Sequence, residues 1–240
     1  MCDAARTHSR ELPEFLSTGG ALAIFRIEAG AGRGLNEQLD AARKLYASLA
    51  TRYDAETRFI TGIRTQAIDA LQLQPGETVL DAGCGTGWCL PRLAAKVGAR
   101  GKVIGFEPST EMLALAHDRV KQCALENTQL HCASGTDVKL VAHPDAILFS
   151  YTHDLIRDRA ALENIFAQAR SGTRIVAAST RLFPPWFFIG NWYLRRTHRY
   201  TITNFDSFDR PWTLLAQFCM RHEVRTTVPG SRYIFSGTLD

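Results

Sequence analysis

The chain lacks every cysteine pattern that would hold a metal. Its six cysteines, Cys2, Cys84, Cys89, Cys123, Cys132 and Cys219, form no CxxC pair, and no Cys/His set has zinc-ligand spacing. No metal is expected, and reduced thiols in a cytoplasmic protein are the default reading. Long apolar runs are also missing. Phe183 to Ile189 is among the longest and is far too short to span a bilayer. The opening Met1-Cys2-Asp3-Ala4-Ala5-Arg6 is polar and no long apolar run follows, so no signal peptide is expected. Charge of one sign is scarce: 28 Lys and Arg stand against 24 Asp and Glu, a formal net charge of +4. A dedicated nucleic-acid binder carries a denser basic stripe, so no nucleic-acid partner is expected. The densest basic cluster, Arg195, Arg196, His198 and Arg199, is short and reads as a solvated face or loop. Internal repeats and low-complexity tracts are absent. What remains is an ordinary globular composition over 240 residues, enough for one sizeable core.

The organisation follows from periodicity. Asn36 is a plausible helix N-cap, and Leu39, Ala42, Leu45, Tyr46 and Leu49 repeat at helical spacing behind it. A second helical stretch carries Phe59, Ile60, Ile63, Ala67, Ile68 and Leu71, and stops at Pro75-Gly76. The pattern then alternates. Buried strands are expected at 78–82, 102–106, 128–132, 146–150 and 173–178. Helices are expected at 90–97, from the Ser109 cap, and at 155–170. The tail adds a helix over 211–220 and two strands, 223–228 and 233–236, joined at Pro229-Gly230. The expected fold is α/β: a doubly wound, mostly parallel seven-stranded sheet with helices on both faces and a closing antiparallel β-hairpin. Residues 1–54 read as an N-terminal helical cap or lid. Residues 55–240 read as a Rossmann-like domain with an aromatic-rich insert at 181–221.

One loop carries most of the chemistry. The expected strand ending at Asp81-Ala82 runs into Gly83-Cys84-Gly85-Thr86-Gly87. Alternating glycines allow a sharp bend and close approach of a ligand to the backbone. In an open parallel sheet, ligands bind beyond the carboxyl ends of the strands. A similarly spaced run, Gly30-Ala31-Gly32-Arg33-Gly34, has no βαβ unit around it and reads as a flexible loop. Glu107 ends the next strand, where a carboxylate can accept both hydroxyls of a ribose. Asp81 would repel a pyrophosphate but suits a ligand bearing an ammonium group.

Val79 to Gly87 resembles motif I of the class I S-adenosylmethionine (SAM)-dependent methyltransferases, and Val103 to Leu113 resembles the stretch that follows it in that family. The likeness runs from about Tyr46 to Thr180. It implies SAM as cofactor. Gly83, Cys84, Gly85, Thr86 and Gly87 would line its methionine and ribose part, Asp81 would hold the ammonium end, and Glu107 would hold the ribose hydroxyls. Pro108 and Met112 would pack near adenine, and Tyr53, next to Asp54, would lie over the ligand. The family often places an aspartate after the third strand to contact adenine. Here Ser134 stands there, with Asp137 three residues on.

Ser150 ends the fourth strand and is assigned to the cofactor, and Tyr151, His153 and Asp154 follow it, at the edge that in this family faces the SAM methyl group and the acceptor. His153 is the candidate base, since histidine exchanges protons near neutral pH; its alternative role is a hydrogen bond within a turn. Asp154 either orients His153 or caps the next helix, and Tyr151 either meets the acceptor or packs. Tyr46, Trp186, Tyr193 and Arg210 are assigned to the acceptor. The expected function is methyl transfer to a small-molecule acceptor, of the kind met in natural-product biosynthesis. One alternative is attack on the aminobutyrate chain of SAM, by 3-amino-3-carboxypropyl transfer or by cyclisation, releasing methylthioadenosine. The other is a non-catalytic SAM-binding subunit. The acceptor and the oligomeric state are left open.

Overall fold

The computed structural model describes residues 60–183, 186–198, 208–227 and 230–240. The expected cap over 1–54, with Tyr46 and Tyr53, lies outside them. Helix α1 (Thr61–Ala70) leads into β1 (Thr78–Ala82), α2 (Leu90–Val97), β2 (Lys102–Glu107), α3 (Thr110–Gln122) and β3 (Thr128–Cys132). Next come β4 (Ala146–Ser150), a single 3-10 turn (Leu155–Arg157), α4 (Arg159–Phe166) and β5 (Arg174–Thr180). Helices α5 (Phe188–His198) and α6 (Thr213–Ala216) precede β6 (Cys219–Thr226) and β7 (Arg232–Leu239). The seven strands form one sheet in the order β3-β2-β1-β4-β5-β7-β6. The first five are parallel, and β7 runs antiparallel to both β5 and β6.

Strands β1, β2, β4 and β5 are buried on both faces, which is why they read as near-continuous apolar runs. Val79, Val103, Leu148 and Val176 pack with Ile63, Ile68, Leu90 and Leu93 on one side. Leu80, Ile104, Ile147 and Ile175 pack with Leu162, Ile165, Tyr233 and Phe235 on the other. Each fully buried Leu, Ile or Val contributes about 1.5–3 kcal/mol, so the two faces together carry the fold. Arg174 fastens α1 to the sheet: its Nε donates to the Leu71 carbonyl at 2.8 Å and its Nη2 meets Glu77 at 2.5 Å.

Several elements differ from the sequence expectation: the closing strands run 219–226 and 232–239 instead of 223–228 and 233–236, and two helices are cut short. The helix expected over 155–170 is split at Asp158, whose side chain accepts from the Ala161 amide at 3.2 Å and starts α4 afresh. The helix expected over 211–220 is one turn long, because β6 begins at Cys219 to pair with β7. Among the described residues no helix is long and apolar enough to cross a membrane, and no cluster of His, Cys, Asp and Glu could hold a metal ion.

Candidate functional site

The strand order reverses between β1, flanked by β2, and β4, so the carboxyl ends of these strands open a crevice. Two adjoining cavities of ≈ 180 and ≈ 340 Å³ lie there, both lined by Gly83, Glu107, Tyr151 and Thr152. Together they suit a small-molecule ligand.

The loop after β1 is a fixed cradle. The Cys84 amide donates to the Phe106 carbonyl at 2.9 Å, and the Gly87 amide donates to the Cys84 carbonyl at 2.9 Å. Gly83, Gly85 and Gly87 all take positive φ. At Gly83 an added methyl would stand 2.6 Å from Thr152 Cγ2, so packing as well as φ demands glycine. At Gly85 an added methyl would meet nothing within 4 Å. That space belongs to the cavity. Glu107 completes the cradle: one carboxylate oxygen accepts from the Gly85 amide at 3.1 Å, the other from the Ser109 amide at 3.0 Å. A carboxylate offers about four acceptor positions, so two remain for a ligand's hydroxyls. Thr86 also lines the first cavity. Cys84 and Cys89 do so too, but burial pushes both thiols far above the ordinary range, which leaves no thiolate nucleophile at neutral pH.

Asp81 is buried at the end of β1, and its Oδ2 has no hydrogen-bond partner among the described residues. Burial pushes its carboxyl up, Arg64 pulls it down and Glu107 pushes it up, to about 7. Arg64 is the residue that sequence reasoning missed. It is 6% exposed and lines the same cavity, with its guanidinium carbon 5.4 Å from the Trp88 ring and 5.5 Å from the Tyr151 ring. Its signal was present in the sequence, since Arg64 falls inside the apolar stripe Ile60, Ile63, Ala67, Ile68, Leu71 where helical spacing calls for another hydrophobe. Trp88, also missed, forms part of the wall.

Met112 and Ser150 line the first cavity, and Pro108, Ser134, His153 and Asp154 line the second. Ser134 Oγ bonds both Thr136 Oγ1 and Asp137 Oδ2, so the two candidate adenine contacts form one cluster. Tyr151 holds φ +61°, an unusual conformation for an aromatic residue, at the end of β4. Outliers of this kind concentrate at functional sites. Past it, His153 reaches back to Ser179 on β5, whose Oγ stands 3.0 Å from Nδ1 and 3.1 Å from Nε2. The imidazole also packs against Phe208, 5.0 Å between centroids. Asp154 opens the 3-10 turn without a side-chain cap bond. Trp186 and Arg210 are exposed and line neither cavity. Tyr193 sits on α5, and its side chain lies outside the described set.

A parallel sheet with a glycine cradle, two acids and a buried arginine at its switch point suits small nucleoside-type ligands with an amino-acid moiety. Comparison with known proteins narrows this. Residues 79–173 match the methyltransferase domain family model. A 2-phytyl-1,4-naphtoquinone methyltransferase of Synechococcus elongatus is 36% identical over 90 residues, 35% of this chain and 39% of that protein. A 23S rRNA (uracil(1939)-C(5))-methyltransferase of Acinetobacter baumannii is 53% identical over 57 residues, 23% of this chain and 12% of that one. This chain thus spans well under half the length of those curated relatives. The crystal structure of a SAM-dependent methyltransferase from Aquifex aeolicus superposes with a TM-score of 0.60 at 20% identity, covering 80% of this chain and 98% of that one. Residues 79–173 thus resemble the methyltransferase domain family, and the fold is the one seen in a solved SAM-dependent methyltransferase.

The residues present fit SAM. A buried carboxylate, Asp81, whose Oδ2 has no hydrogen-bond partner among the described residues, lines one cavity with a buried cation, Arg64, suiting the ammonium and carboxylate of an amino acid. Glu107 has acceptor positions to spare for a diol, and Gly85 leaves room at the backbone.

Proposed function

We propose that this protein transfers the methyl group of SAM to a small-molecule acceptor. The observation that carries the reading is the pairing of Asp81 and Glu107 around the Gly85 cradle, which suits a nucleoside bearing an amino-acid tail. The relative from Synechococcus, whose name specifies a quinone, supports an acceptor of small-molecule size.

SAM, when bound, supplies a methyl carbon already activated by the sulfonium. The chain's own part is therefore to bind, align and exclude water. Asp81 accepts the ammonium group, Arg64 meets the carboxylate, and Glu107 accepts the ribose hydroxyls. Trp88 and Tyr151 wall the cavity on the side of Arg64. His153 lines the second cavity and takes the acceptor's proton on a ring nitrogen, and Ser179 holds the ring from behind.

The test is calorimetry with SAM and S-adenosylhomocysteine, followed by mass spectrometry of products. We expect Glu107→Ala to weaken SAM binding at least tenfold. His153→Ala should lose turnover and keep SAM affinity. Release of methylthioadenosine from SAM alone would replace methyl transfer with chemistry on the aminobutyrate chain. Absence of binding would remove the assignment.

A further inference from the structure

Five of the seven large apolar side chains exposed among the described residues fall within one short stretch: Trp186 at 77%, Phe187 at 39%, Phe188 at 71%, Ile189 at 64% and Trp192 at 63%. Isolated exposed hydrophobes are ordinary, but a contiguous group marks an interaction surface. The group sits at the start of α5, and its chemistry changes along the helix. Phe188, Trp192 and Arg196 are spaced four apart, so they share one face. Arg196 is exposed with its guanidinium 5.9 Å from the Trp192 ring, and Arg195 and Arg199 flank it in sequence. Aromatic rings followed at once by arginines make a poor match for an apolar protein groove. They match the boundary of a bilayer, where indole rings settle at the headgroup level and basic side chains meet lipid phosphates.

The position of this face adds to the argument. A chain of ring contacts connects it to the cavities. His153 packs on Phe208, Phe183 packs against the Leu182–Phe208 pair, Phe183 meets Phe187 at 5.0 Å, and Phe187 meets Trp186 at 5.8 Å. The exposed rings therefore form the outer end of the wall whose inner end is His153.

From these observations we infer that α5 and the turn before it dock this protein peripherally on anionic lipid surfaces, with Trp186, Phe188 and Trp192 inserted at the headgroup boundary and Arg196 on the phosphates. The inference stands independently of methyl transfer, because it concerns a surface outside the ligand cradle.

The test is flotation of the full-length chain with vesicles of phosphatidylcholine alone and of phosphatidylcholine with phosphatidylglycerol. Preferential flotation with the anionic vesicles, weakened by added salt, is the expected result. Arg196→Gln should lower that partitioning about fivefold. Trp192→Ser and Phe188→Ser should reduce it further, while melting temperature and SAM calorimetry stay as in the parent because both side chains are exposed. Equal partitioning of parent and variants, or no flotation with anionic vesicles, would overturn the inference. So would a dimer in sedimentation that Trp192→Ser dissociates while flotation is unchanged, since a second copy would then cover the face.

Discussion

Asp81 is the residue whose protonation the cradle controls. Folded, it holds its proton to about 7, against an ordinary 3.8 in the unfolded chain, with burial as the main cause. Below 3.8 both states are protonated and the stabilising contribution is fully present. As pH rises through the interval to about 7, the unfolded chain sheds its proton first, so stability falls. The ligand-free protein should melt at progressively lower temperature across that interval, and Asp81→Asn should remove this component of the slope. An ammonium group beside Asp81 favours the ionised form, so SAM affinity should rise as pH approaches and passes 7. Calorimetry in buffers of different ionisation heat should show a proton released on binding below that pH.

At the scale of elements, α1 links the fold to the site. Ile63, Ala67, Ile68 and Leu71 face the sheet, and Arg64 occupies the same buried stripe. Removing one member of a buried charge pair strands the other and costs about 3–5 kcal/mol, and Arg64 acts on buried Asp81. Arg64→Leu should therefore lower the melting temperature. It should weaken SAM binding about ten- to 150-fold, the range expected for losing a charge-assisted hydrogen bond of about 1.5–3 kcal/mol. Thermal melts and calorimetry on one preparation separate the two effects.

The elements also show what was readable beforehand. Helix α2 was legible end to end, because Pro91 and the apolar positions Leu90, Leu93, Ala94 and Val97 agree. The Ser109 cap was legible, and its Oγ accepts from the Met112 amide at 3.2 Å. Asp158 was not seen as a cap, because the apolar spacing from Leu155 continues past it and hides the break. The start of β6 was missed because most of that strand faces solvent and offers no alternation to read. In the site, the glycine cradle, Asp81 and Glu107 were legible from local order. Arg64 and Ser179 join the site only through packing of distant segments, which spacing along the chain does not show.

For the whole molecule, the antiparallel pair β6–β7 is integral to the sheet and not an ornament. β7 lies between β5 and β6, and its Tyr233 and Phe235 are fully buried against the same face as Phe149 and Ile175. Phe235→Ala should cost about 3–5 kcal/mol, a large share of the roughly 5–15 kcal/mol that holds a domain together. A denaturant titration checks this through the shift in midpoint. SAM binding should vanish at the same denaturant concentration as the fold, because the sheet and the ligand crevice are one unit.

The bonds from Glu107 to the Gly85 and Ser109 amides carry a final consequence. The carboxylate that would greet the ribose is also the latch that keeps its own receptor open. Little ordering is left for the incoming molecule to finance, so affinity is gained by rigidity in advance. It also ties two traits to one side chain. Any drift at this position alters the shape of the loop together with the ligand it welcomes, and neither can change alone.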